Sequence, residues 1–244
     1  MSSNGPESAA GSIGCVEGAS GAPNDEPTAN GAAGPGLHLG ACSKPGPVSM
    51  GPVRVALVAD THGYLDPRIA VVVKSCDVAL HGGDIGNAEI LGQLQPRVGR
   101  VFAVLGNNDV AQKWPDAQRD LLFRIPLEAH IALPGGELVL VHGHRQPAAR
   151  RHERLRERYP QARAICYGHS HVLVDDRDHL PWVINPGAAG RARTFGGPSC
   201  MVLTATEARW ELETHRFAPR ARRPRRSNLM SREQARSSQA GAGS

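Results

Sequence analysis

Apolar residues gather into short runs between positions 53 and 217, and the spacing inside each run predicts an element. VRVALVA (53–59) is almost continuously apolar, the pattern of a strand covered on both faces. DVALHGGD (77–84) and RVFAVLG (100–106) read as further short strands that run into glycine turns. Between these three lie two helical segments, PRIAVVVKSC (67–76) and AEILGQLQ (88–95). LEAHIAL (127–133) and ELVLVHGH (137–144) flank Pro134-Gly135-Gly136, which predicts a hairpin. PAARRHERLRERY (147–159) is a helix with Pro147 near its first turn. ARAICYGHSH (162–171) is a strand, short strands follow near 172–176 and 182–184, and 200–217 closes as a hairpin. Strands that first alternate with helices and then pair as hairpins predict an α/β layered domain with mixed sheets.

The flanks have a different texture. Residues 1–50 are rich in Gly, Ala, Ser, Pro and Asn and show no period, so they cannot bury enough apolar surface to offset their ordering entropy. The expected organisation is a disordered tail over 1–52, one folded domain over 53–217 and a disordered, arginine-rich tail over 218–244. Charge follows the same division. Lys44 against Glu7, Glu17, Asp25 and Glu26 makes 1–50 net −3. Seven arginines against Glu233 make 217–244 net +6, which leaves +2 for 51–216 out of the total of +5. The basic character is thus a property of the tail and not of the domain. No apolar run approaches the roughly 18–20 residues of a membrane span, and the N-terminus has neither the basic nor the apolar region of a signal peptide. Five scattered cysteines without a CxxC pair fit reduced thiols in a cytoplasm better than a disulfide framework or a zinc knot.

Each predicted strand ends in the same chemistry. The first runs into Asp60-Thr61-His62, the second into Gly83-Asp84 and the third into Gly106-Asn107-Asn108-Asp109. Later strands run into His142-Gly143-His144 and Gly168-His169-Ser170-His171. In open α/β folds, ligands sit at the carboxyl ends of strands. In extended backbone, residues two apart face the same side. Asp60 with His62, and His169 with His171, are such pairs, so each could pinch one ion, and His142 with His144 has the same spacing. Carboxylate, imidazole and amide donors without thiolate suit manganese, iron, zinc or nickel better than magnesium or calcium. Two ions are satisfied if Asp84 bridges them.

The ordered string DTH…GD…GN…HGH…GHSH resembles the calcineurin-like metallophosphoesterase superfamily, and within it the small YfcE-type phosphodiesterase branch; the resemblance covers roughly 53–216. It implies two packed mixed β-sheets flanked by helices. It assigns Asp60, His62 and His171 to one divalent ion and Asn107, His142 and His169 to the other, with Asp84 between them. It places INPGA (184–188) beside the site, where Asn185 orders the loop or contacts ligands without binding metal. Many members carry a histidine that protonates the leaving group at the position filled here by Asn108.

The implied activity is a dinuclear phosphoesterase, most simply a phosphodiesterase with manganese, in which a hydroxide between the ions attacks phosphorus. Asp84, His144 and Asn108 are its candidate catalytic residues, with His144 or Arg145 helping to stabilise the phosphoryl oxygens. Two competing functions come from other classes: a protein-interaction scaffold of the kind formed by the small retromer subunit, and a nuclease assisted by the arginines at 220–226. The remaining histidines have plainer expectations. His81 is a satisfied near-core residue, and His130, His152, His179 and His215 lie on the surface. Arg150, Arg154 and Arg158 form a solvated helix face with Glu153 and Glu157.

Overall fold

A computed structural model describes residues 51–219 together with His38 and Leu39, all within the unit Pro35–Ser244. The elements in chain order are β1 (His38–Leu39), β2 (Val53–Val58), α1 (Pro67–Lys74), β3 (Val78–His81), α2 (Ala88–Gln93), β4 (Arg100–Ala103), α3 (Arg119–Leu122) and β5 (Glu128–Leu133). There follow β6 (Gly136–Val141), α4 (Arg151–Arg158), β7 (Ala164–Tyr167), β8 (Leu173–Asp176), β9 (Trp182–Pro186), β10 (Ser199–Ala205) and β11 (Trp210–Arg216). Apart from β1, the tails assigned to 1–52 and 218–244 lie almost wholly outside the described residues.

Two mixed sheets form. One has the strand order β1-β4-β3-β2-β10-β11, the other β5-β6-β7-β9-β8. Period-two alternation then builds three apolar layers. Val55 and Leu57 of β2 point between the sheets, where they meet Leu138 and Leu140 of β6, Ala164 and Cys166 of β7, and Met201 and Leu203 of β10. The alternate residues Ala56 and Val58 point outward, onto Ile69 and Val73 of α1 and Ile90 and Leu91 of α2. On the far side, Val139, Ile165 and Val183 pack against Leu155 of α4. The expected pair of packed sheets flanked by helices is therefore present as helix, sheet, sheet, helix. A strand with apolar residues at both parities is dictated by burial on both faces, and β2, β6 and β7 all meet that condition.

The helices are short and locally specified. Pro67 opens α1, and the Asp66 side chain caps it by accepting the Arg68 backbone N–H at 3.0 Å. Asn87 caps α2 through the Ile90 N–H at 3.2 Å. The strand expected over 100–106 stops at Ala103. Beyond it the Leu105 N–H leaves the sheet for the Pro126 carbonyl.

Register aligns the strand ends. Val58 pairs with His81 and His81 with Ala103, while Val141 pairs with Tyr167. The loops that follow β2, β3, β4, β6 and β7 thus leave the two sheets side by side. The ladder continues into them, since the N–H groups of Asp60, His62 and Gly63 donate to the carbonyls of Gly83, Asp84 and Ile85.

Candidate metal centre

Side chains from five loops converge here. Asp60, His62, Asp84 and His171 each present a ligand atom, all within 4.8 Å of one another. His62 Nε2 lies 3.1 Å from His171 Nε2 and 3.7 Å from Asp84 Oδ2. His171 Nε2 lies 3.4 Å from Asp60 Oδ1. A second group adjoins the first. Asn107 Oδ1 lies 3.1 Å from His142 Nε2 and 2.9 Å from His169 Nδ1, and His142 Nε2 lies 3.5 Å from Asp84 Oδ1. The two oxygens of Asp84 thus face different groups.

This arrangement corrects the expected His169–His171 pinch. The two histidines part, His169 toward Asn107 and His171 toward Asp60 and His62. The reason is backbone conformation. Asp60, His62, Asp84, His169 and His171 all have positive φ, between 48° and 66°, so extended-strand parity does not apply to them. Only one other non-glycine residue among those described shares this conformation, Arg193 at 51°. Left-handed backbone at a side-chain residue is strained, and such strain collects at functional sites. Glycine makes the crowding possible: a Cβ on Gly83 would come 2.7 Å from His142 Nδ1, and one on Gly106 would collide with the Asp84 carboxylate.

Second partners fix the tautomers. His142 Nδ1 donates to the Gly82 carbonyl at 2.7 Å, and His171 Nδ1 to the Ala192 carbonyl at 3.1 Å. Each Nε2 is then the atom aimed into the cluster, the arrangement that metal-binding histidines use. Asp60 is fully buried, and its Oδ2 has no hydrogen-bond partner. Burial pushes its pKa up to about 7. A buried carboxylate oxygen without a donor fits a cation, so the residues present suit a divalent ion. Burial also acts against ionisation of Asp84, but hydrogen bonds from His142 and Asn108 hold its pKa below the ordinary carboxylate range. Burial holds His169 and His171 down at about 4, so both stay neutral and able to coordinate.

Other expected residues take clear places. The Asn108 N–H and side-chain amide donate to Asp84 Oδ1 and Oδ2 at 2.8 and 2.7 Å, and its own oxygen accepts from Lys113. Asn108 therefore positions Asp84. Asn185 donates to the Gly168 carbonyl at 2.8 Å and to Ser170 Oγ at 3.0 Å, which orders the His169–His171 loop. His144 lies tilted beside His142 and His169, with ring centroids 5.4 and 6.2 Å away, and its buried Nδ1 has no partner among the described residues. His81 is fully buried. Its Nδ1 accepts from the Gly83 N–H and its Nε2 meets Thr61 Oγ1 at 2.9 Å, so it is a satisfied core histidine. Arg150 and Arg154 pair with Glu153 and Glu157 as a solvated face, while Arg158 turns to Glu128.

Three features escaped the sequence reading. Asp109 stitches the loops after β3 and β4, accepting from the N–H groups of Ile85, Gly86 and Gly106 and from Trp114 Nε1. His152, expected on the surface, is half-buried and links Asp176 to Tyr167 behind the metal loop. Arg193 places Nη2 3.0 Å from His171 Nε2. Only the GNND context hinted at Asp109, and nothing in spacing marked the other two.

Residues 53–208 match the family model described as the calcineurin-like phosphoesterase superfamily domain. The chain belongs to this superfamily. It is also 31% identical over 146 residues to a probable metallophosphoesterase of Mycoplasma pneumoniae, an alignment that covers 55% of this chain and 78% of that protein. Among solved structures it resembles vacuolar protein sorting 29 of Cryptosporidium parvum, with a TM-score of 0.52 at 16% identity over 68% of this chain and 98% of that one. The Chaetomium thermophilum counterpart gives a TM-score of 0.52 at 12% identity, over 69% of this chain and all of the other. At such identities the likeness is one of fold. Superfamily membership and the Asp60–His62–Asp84–His171 group together support a metal-dependent phosphoesterase.

Proposed function

We propose that the protein is a dinuclear phosphodiesterase. The observation that carries this reading is Asp84, whose Oδ2 faces His62 and whose Oδ1 faces His142. In this reading Asp60, His62 and His171 hold one ion, Asn107, His142 and His169 hold the other, and Asp84 joins them. All seven positions carry competent donors, which favours an enzyme over a binding scaffold. Manganese is the first choice because the donors are oxygen and imidazole without thiolate. When bound, two such ions supply Lewis acidity to a phosphoryl oxygen and make hydroxide available near neutral pH.

The chain's own residues do the rest. The Gly82 and Ala192 carbonyls keep the Nε2 atoms of His142 and His171 aimed inward. Asn108 holds both oxygens of Asp84 and has no proton to give a leaving group. Burial, then the charges of His142 and Arg145, lower the pKa of His144. His144 is therefore neutral near pH 7 and offers the leaving oxygen one N–H as a hydrogen bond. Cys76, Cys166 and Cys200 are free buried thiols, which supports a reducing compartment. None of the described helices is long and apolar enough to cross a membrane.

The test is metal content and turnover together. Protein stripped with chelator and reloaded with manganese is assayed on bis(p-nitrophenyl) phosphate and on p-nitrophenyl phosphate. The expected outcome is two ions per chain and faster diester cleavage, with Asp84→Asn losing at least one ion and about 10²-fold or more of the rate. Near-normal turnover by Asp84→Asn with both ions retained would sink the dinuclear assignment. Preference for the monoester would sink the diester one.

A further inference from the structure

Arg193 belongs to the site by geometry although no motif marks it. Among the described residues it is the sixth non-glycine residue at positive φ, and the other five all bring a side chain to the metal cluster. Its turn is fastened on both sides. The Ala189 N–H donates to the Ala59 carbonyl, and the N–H groups of Phe195 and Gly197 donate to the carbonyls of Arg193 and Thr194. Consecutive residues grip the His171 ring: the Ala192 carbonyl accepts from Nδ1, and Arg193 Nη2 donates to Nε2 at 3.0 Å. Arg191, two residues earlier, lies over the Tyr64 ring at 3.5 Å and so points elsewhere.

The guanidinium thus occupies the one lone pair that a cation on His171 requires. An ion and Arg193 cannot both use it. Once displaced, an exposed arginine held beside the cluster by a strained turn matches the chemistry of the non-bridging oxygens of a phosphoryl group. We propose that Arg193 is a substrate-binding residue that caps His171 in the metal-free protein and grips the phosphoryl oxygens when metal is bound. This rests on the metal-dependent reading above.

The two roles predict effects of opposite sign. Calorimetric titration with manganese, followed by inorganic phosphate added to the manganese-loaded protein, measures both. Arg193→Gln removes the competing cation, so manganese affinity rises several-fold. The same change removes a charge-assisted contact, so phosphate affinity falls about ten-fold. Arg193→Lys keeps the charge and falls between. Arg191→Gln changes neither by more than about two-fold, since its guanidinium stacks on Tyr64. A native protein that takes up no manganese defeats the functional reading itself. A native protein that binds both, with phosphate affinity unchanged in Arg193→Gln, overturns the role of Arg193 alone. So does a loss of both affinities together, which would mean that the side chain merely holds the loop.

Discussion

At the scale of the residue, burial without a partner is the most informative observation. Asp60 has a carboxylate oxygen that nothing in the described protein satisfies, and burial raises its pKa from 3.8 to about 7. The sign of the linkage follows. Metal-free Asp60 contributes stability while protonated, and that contribution is lost as pH rises through about 7. His169 and His171 act oppositely: held at about 4 instead of 6.5, they cost stability as pH falls through that interval. Comparison with Asp60→Asn, which never ionises, isolates the carboxylate. The thermal midpoint of the metal-free native protein should fall relative to that variant between about pH 4 and about pH 7 and level off above, and a constant difference would show Asp60 already ionised. Asn108 supports a second prediction. With its amide committed to Asp84, the site lacks a strong acid there, so turnover should depend steeply on leaving-group pKa across a series of aryl phosphodiesters. Asn108→His should flatten that slope if the new ring reaches the leaving oxygen, because general-acid help is worth about 10²–10⁴-fold. A shallow slope in the native protein would mean another group already donates the proton, with His144→Ala the variant that identifies it.

At the scale of the element, hydrophobic parity was legible and loop conformation was not. Val53–Val58 carries apolar residues at both parities, and a strand buried on both faces is the result. The hairpin around Pro134-Gly135-Gly136 and the closing pair β10–β11 followed from the same signals. The seven side chains that converge were legible too, because their identities recur in order at strand ends. Their division into two groups could not come from spacing: left-handed backbone at Asp60, His62, His169 and His171 rotates side chains away from strand parity. It entered only through the family resemblance. The helical turns from Asp116 to Leu122 had no periodic run to announce them. Asp109 was the least legible, since a carboxylate after Gly-Asn-Asn reads as turn polarity. Its four donors make it a clamp between the loops that carry Asp84 and Asn107. Asp109→Ala strands those donors in a buried site, at about 1–3 kcal/mol for each one left unsatisfied. The midpoint should therefore drop by many degrees and manganese affinity should fall with it. If Asp109→Ala kept native metal affinity, the two loops would hold their shape by other means.

At the scale of the whole molecule, the site is where the two sheets meet. Asp60, His62, Asp84 and Asn107 follow β2, β3 and β4 of one sheet, while His142, His169 and His171 follow β6 and β7 of the other. The layer between the sheets is apolar, from Val55 and Leu57 across to Leu138 and Leu140. A cation held by donors from both sheets would therefore join them at one edge. Binding that favours only the folded state adds stability as the logarithm of free ligand, about 2.7 kcal/mol at a hundred-fold excess over Kd. For a domain of this size that is a rise of about 5–10 °C in Tm. The prediction is that shift in native protein on replacing chelator with manganese, and a much smaller one in both Asp60→Asn and His169→Ala. Leu57→Ala is the contrasting variant. It opens a cavity in the layer between the sheets and should lose about 2–5 kcal/mol, yet keep the full metal shift, because it removes no donor. A shift that vanished with Asp60→Asn but stayed whole with His169→Ala would confine the ion to the group of Asp60, His62, Asp84 and His171. His171, after β7, would then be the single donor through which that ion joins the second sheet to the first.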